Sequence, residues 1–498
     1  VADLNGDGRQ EVLVADGQGC VYAWNQQGVA LAGFPVCTGQ NNRIDGPVAI
    51  GNLDGDPGLE IVAGSRGSGN APGQRARVFV WDTNGALLWS YETDWNQTYG
   101  NSRSEIHGVA LADVSGDARL EVLAGTSNNT SNGGTVDVDI PWNLYVFDAS
   151  GNVLPGFPAY NRTAGIYAPV GAADLTGDGK AEIITGRDHN YAHAYASNGS
   201  QLSGWPVRTY YDPAKTVWGQ DQSIVFTHNA PAMGDLNGDG VIEVVMAGDV
   251  QIGTATPTNG TVLVLEPNGQ RLTSWTLPPL SGAPLTSSFP PGMFPALADL
   301  NGDGKLDIVV ALHDGTIRAY NWATQSLWSY NYAQGRMLFA SEPVIGDVTG
   351  DGNLDVIFGV YSPDGSANSF VGVYGLSASG ALLPNFPLAL TAESGSQKGV
   401  RAAPTLADLD CDGDVEILAA SWGGTLYVWD LPTSYNPAKM PWPTGRHDNQ
   451  RTGSVASAPG SAALSSFLAP AADPLVVLNP ANGNALYLPL VVKNHCGG

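Results

Sequence analysis

Oxygen-bearing side chains recur at a fixed spacing along this chain of 498 residues. One nine-residue phrase appears eight times, with oxygen ligands at its positions 1, 3, 5 and 9. The first four sets are Asp3, Asn5, Asp7 and Glu11; Asn52, Asp54, Asp56 and Glu60; Asp113, Ser115, Asp117 and Glu121; and Asp174, Thr176, Asp178 and Glu182. The last four are Asp235, Asn237, Asp239 and Glu243; Asp299, Asn301, Asp303 and Asp307; Asp347, Thr349, Asp351 and Asp355; and Asp408, Asp410, Asp412 and Glu416. Alternate residues of a tight loop point inward, and the glycine at position 6 of most copies permits the turn, so the oxygens converge on one point. A hard cation that accepts six to eight oxygens fits such a set, and calcium fits better than magnesium because the ligands are many and the loop is flexible. The position-7 carbonyl (Arg9, Lys180, Lys305 and equivalents) is expected to add a ligand.

Charge supports this reading. The ligand positions hold 25 of the 47 acidic residues, and the remaining 22 balance the 22 lysines and arginines, so the net charge of −25 corresponds to these ligands. Eight divalent ions would reduce it to −9. Asp, Asn and Gly also dominate ordinary turns, but eight copies with an acid at position 9 exceed what turn composition supplies. Asn52 and Pro57 weaken the second loop and Ser115 and Ala118 the third, so these two are expected to bind least tightly. A basic surface, which nucleic acid or an anionic membrane requires, is excluded, and no apolar run is long enough to span a bilayer.

A short β-prone run follows each loop, such as EVLVA, EIVAG and DIVVA, and an alternating apolar and aromatic run comes later in each copy, such as VYAWN, VFVWD and LYVWD. With the apolar run that leads into the next loop, each copy of about 60 residues holds four strands and no helical apolar period. Four short antiparallel strands per repeat, set radially, make an all-β propeller of about eight blades, with seven blades plus a partial one as the alternative. The aromatic that ends the third strand is expected to pack between blades.

The loop followed by a β-run resembles the FG-GAP and VCBS repeats of integrin-type β-propellers, over residues 1–454. That resemblance implies calcium held on one face of the ring, and a family that includes adhesion modules, lectins, surface scaffolds and some polysaccharide lyases. Integrin-type rings usually have seven blades, whereas eight loops occur here.

Only Val1 and Ala2 precede the first loop where other copies have a full strand, so something else is expected to fill that position. A small-residue linker (455–473) leads to a C-terminal β-segment (474–498) that would close the ring or be donated to a neighbouring subunit as a filament contact. Cys20 with Cys37 and Cys411 with Cys496 are candidate disulfides; both disulfides and calcium suit a secreted or cell-surface protein. His189 and His193 are read as packing, and the Arg446, His447 and Asp448 cluster as fixing the last blade. No catalytic fingerprint occurs. The expected role is a non-catalytic scaffold for adhesion or self-assembly, whose partners are other copies, surface proteins or glycans; the alternative is a lectin or polysaccharide lyase. Specificity is expected in the insertions at 66–76, 92–106, 126–142, 208–229, 251–260 and 276–293.

Overall fold

The computed structural model describes residues 1–39, 43–68, 72–93, 102–130, 143–159, 166, 168–186, 191–210, 214, 216–217, 220–226, 229–253, 259–272, 292–391, 393, 395–455 and 477–478. Eight small antiparallel sheets form a ring, one per loop, which makes the molecule an eight-bladed β-propeller. Two 3-10 turns, Asn368–Phe370 and Pro437–Lys439, are the helical elements among the described residues, and none of these is long and apolar enough to cross a membrane. The second blade sets the pattern: Ala49–Gly51 at the axis, then Glu60–Gly64, Arg77–Trp81 and Leu87–Glu92 outward. Each acidic loop joins an innermost strand to the next. Because consecutive strands reverse direction, all eight loops lie on one face, and the connections that carry the insertions lie on the other.

Strand alternation sends every second side chain toward a neighbouring blade. The aromatic ends of the third strands are accordingly buried, with Trp24, Trp81, Phe147, Tyr195 and Tyr320 at most 9% exposed. Several stack on the residue two earlier, as Phe79 does on Trp81 with centroids 5.4 Å apart. His193 takes that place beside Tyr195, at 5.8 Å, so it is a blade-packing residue; His189 lies outside the described residues. Apolar clusters join each blade to the next, and Val12 and Trp24 of the first pack with Leu409, Leu418 and Leu426 of the eighth to close the ring.

The expected gap in the first blade is filled by its own short stub. Ala2 and Glu11 exchange backbone hydrogen bonds of 3.1 and 2.7 Å, which suffices because the innermost strand of a blade such as the second is only three residues long. The described tail residues, Val477–Leu478, pair with Leu426–Ser434 at the outer edge of the eighth blade instead of with the first. Four of the insertions are partly strand: Ser102–Ala112 and Glu121–Thr130 pair as one long hairpin, and Glu243–Ile252 pairs with Asn259–Leu265 and Gln222–Val225. Other parts of the insertions, including 131–142 and 276–291, lie outside the described residues.

Cys20 faces Cys37 across two strands of the first blade, and the two are joined in a disulfide with a sequence separation of 17. Chain entropy assigns such a loop about 3 kcal/mol. Replacing both with serine is expected to lower the denaturation midpoint accordingly; an unmoved midpoint would mean that packing alone holds this blade. Cys411 Sγ lies 3.8 Å from the Gly8 carbonyl oxygen of the first loop, and Cys496 lies outside the described residues.

Candidate functional site

Each loop is built by its own side chains. The position-1 carboxylate accepts N–H bonds from positions 4 and 6: Asp235 receives Gly238 at 2.7 Å and Gly240 at 2.8 Å, and Asp3, Asp174, Asp299 and Asp347 repeat the pattern. The position-5 carboxylate accepts from position 7, as Asp303 does from Lys305 at 2.9 Å. Position 4 adopts a left-handed backbone in all eight loops, with Gly in seven and Cys411 (φ 62°) in the eighth. Sequence reading singled out the glycine at position 6 and missed this second one, whose signal was its recurrence.

Position 9 lies at or near the start of the second strand, and that placement buries it. One of its oxygens accepts the position-2 N–H, at 2.8 Å for Leu4 to Glu11 and 2.9 Å for Leu300 to Asp307. Burial, with the loop's other carboxylates adding to it, pushes Glu11, Glu60, Glu182, Glu243 and Asp307 up to about 7 and Asp355 to about 6. In four loops the second oxygen faces a neutral position-3 group, as in Asn5 Nδ2 to Glu11 Oε1 at 3.1 Å and Asn301 Nδ2 to Asp307 Oδ1 at 3.3 Å, whereas in the seventh loop Thr349 Oγ1 donates at 3.1 Å to the same Asp355 oxygen that accepts the Val348 N–H.

The other three loops bring acids together. Carboxylate oxygens of Asp54, Asp56 and Glu60, of Asp113, Asp117 and Glu121, and of Asp408, Asp410 and Glu416 lie within 4.8 Å of one another. The second and third loops, expected to be weakest, are thus among those with the tightest acid grouping. In the eighth, Asp408 Oδ1 and Glu416 Oε1 are buried without a hydrogen-bond partner, and burial raises Glu416 to about 10. Two acidic oxygens so placed fit a cation that would complete them. A further group, Asp412, Asp414 and Asp430, adjoins it. Asp430 escaped sequence reading because it enters from the third strand, where the register sets it opposite Glu416.

The segment 441–455 does not fix the last blade alone: it runs around the axis of the ring. In six blades the residue two before the first ligand donates its N–H to this segment at 2.8–3.0 Å: Ile345 to the Trp442 oxygen, Leu406 to Pro443, Ile50 to Asn449, Leu111 to Gln450, Ala172 to Thr452 and Met233 to Gly453. The first blade joins through Asn449 Nδ2 to the Val1 oxygen at 2.8 Å. Arg446 is 1% exposed; its N–H meets Glu342 Oε1 at 2.6 Å and its guanidinium reaches the Pro231 oxygen. Arg451 Nε meets the Val48 oxygen at 2.9 Å, while Asp448 accepts from Thr452 Oγ1 at 2.6 Å. Arg446, His447 and Arg451 hold left-handed backbones, unfavourable for residues with a Cβ, which these anchored side chains offset.

A ring of eight antiparallel blades with an acidic loop on each defines a β-propeller whose loop sites belong to the repeat itself. Residues 235–310 and 299–358, about a quarter of the chain, match the family model described as an FG-GAP-like repeat. No curated protein matches it in sequence. Among solved structures it is similar to BamB from Moraxella catarrhalis (15% identical over 88% of this chain and 98% of that one, TM-score 0.49). It is also similar to a europium-containing methanol dehydrogenase (14%, 72% and 72%, TM-score 0.46) and to rhamnogalacturonan lyase YesW (16%, 90% and 84%, TM-score 0.44). Likenesses this distant, to proteins of such different roles, carry nothing about activity.

Proposed function

We propose that this protein is a calcium-stabilised propeller that acts outside the cell as a non-catalytic scaffold, joining copies of itself, surface proteins or glycans. The observation that carries the reading is the division of labour between faces. All eight acidic loops occupy one face, each with a buried position-9 acid, while the described parts of the insertions lie on the other. Calcium in this reading is structural: Asp, Asn, Ser, Thr and Glu at positions 1, 3, 5 and 9 hold it, and it neutralises oxygens that the fold has already drawn together. The Cys20–Cys37 disulfide agrees with an oxidising, calcium-rich compartment. Residues 1–454 would then form the scaffold, 455–473 a linker and 474–498 a C-terminal β-segment for subunit contact.

Electron microscopy of the protein in calcium, beside glycan-binding and lyase assays on the same preparation, tests the role. Regular filaments, or capture of a partner without turnover, are the expected results. Release of unsaturated sugar products from a polysaccharide would overturn the non-catalytic reading.

A further inference from the structure

We infer that the axis of this propeller is a peptide-binding site whose ligand is the chain's own segment 441–455, which acts as a latch held by its contacts and independently of its covalent connection. The innermost strands present one equivalent N–H in each of six blades, and a single short segment supplies the six matching carbonyl oxygens in the order in which the blades follow one another around the ring, seven, eight, two, three, four and five. Repeated blades generate such a circle of donors automatically, but nothing within a blade can satisfy it, because the innermost strand has no further strand inside it. The segment departs from the repeat because its task is to meet seven blades at once. Its side chains bind in the same sense: Trp442 is fully buried, Arg446 spans from Glu342 to Pro231, and Arg451 links Val48 to the segment's own Thr444 Oγ1 (3.1 Å) and Gly445 oxygen (2.6 Å). Donors and acceptors of this kind require proximity, not a peptide bond to the eighth blade.

The preceding turn allows a test on the whole folded chain, because Asn436, Pro437 and Ala438 are exposed whereas Met440 is buried. A specific protease site inserted between Pro437 and Ala438 would be cut after folding and the product passed through native gel filtration. A labelled synthetic peptide of residues 441–455, which lacks the Val477–Leu478 strand, would then be exchanged into the nicked protein. Co-elution of the two fragments and uptake of the labelled peptide are expected, with at least tenfold faster release of a labelled peptide carrying Arg451→Ala than of the unsubstituted peptide. Two outcomes overturn the inference: a large fragment that loses the segment and keeps its melting temperature, and a nicked protein that excludes the labelled peptide.

Discussion

Stripped of divalent cations at pH 8, the protein melts far below its temperature in millimolar calcium, and the difference shrinks toward pH 5. Each site bound at a hundredfold excess over its dissociation constant contributes about 2.7 kcal/mol, so eight sites together contribute on the order of 20 kcal/mol. The pH dependence follows from the position-9 acids. Their folded pKa values, about 7 for Glu11, Glu60, Glu182, Glu243 and Asp307, stand above those of the unfolded chain because burial disfavours the charged form. Without metal, a raised acid costs nothing below its unfolded pKa near 4 and destabilises increasingly until pH passes its folded pKa near 7. The metal-free protein is therefore most stable near pH 4–5 and loses stability up to pH 8. Calcium needs the ionised form, so the loaded protein gains over the same interval. Scanning calorimetry at pH 5 and pH 8, with calcium or EGTA, checks both signs; equal melting temperatures with calcium and EGTA at pH 8 would end the structural role assigned to the ion.

Arg446→Ala destabilises the whole ring by about 3–5 kcal/mol, the usual result of leaving a buried charge without its counterpart. Glu342 is the charge in question. It is 8% exposed, burial raises its pKa, and the Arg446 guanidinium opposes that rise. Adding Glu342→Gln to Arg446→Ala is expected to restore part of the loss, since an amide needs no counter-charge and still accepts the Arg446 N–H. Thermal melts of both variants at matched calcium check this. A melting temperature untouched by Arg446→Ala, with a binding activity lost, would instead make the residue part of a ligand site.

The loops were legible because their chemistry is local. Ligands two residues apart, a turn between them and a strand after them lie within nine residues, and the structure builds each loop from bonds spanning seven residues or fewer. The blade count and the buried third-strand aromatics were legible for the same reason, repetition of a local pattern. What escaped were contributions from elsewhere in the chain: Asp430, which reaches the eighth loop by strand register, and the role of Arg451, whose partner Val48 is 403 residues distant.

By itself, then, the sequence determined the all-β repeat, the eight acidic loops and their concentration of negative charge, all properties of residues near one another. Only the tertiary structure decided which strand fills the first blade, where the tail's Val477–Leu478 pair, and that PWPTGRHDNQRTG belongs at the axis. Circular closure brings equivalent N–H groups from distant copies to one centre, and a demand created by the ring as a whole has no signature in any single repeat.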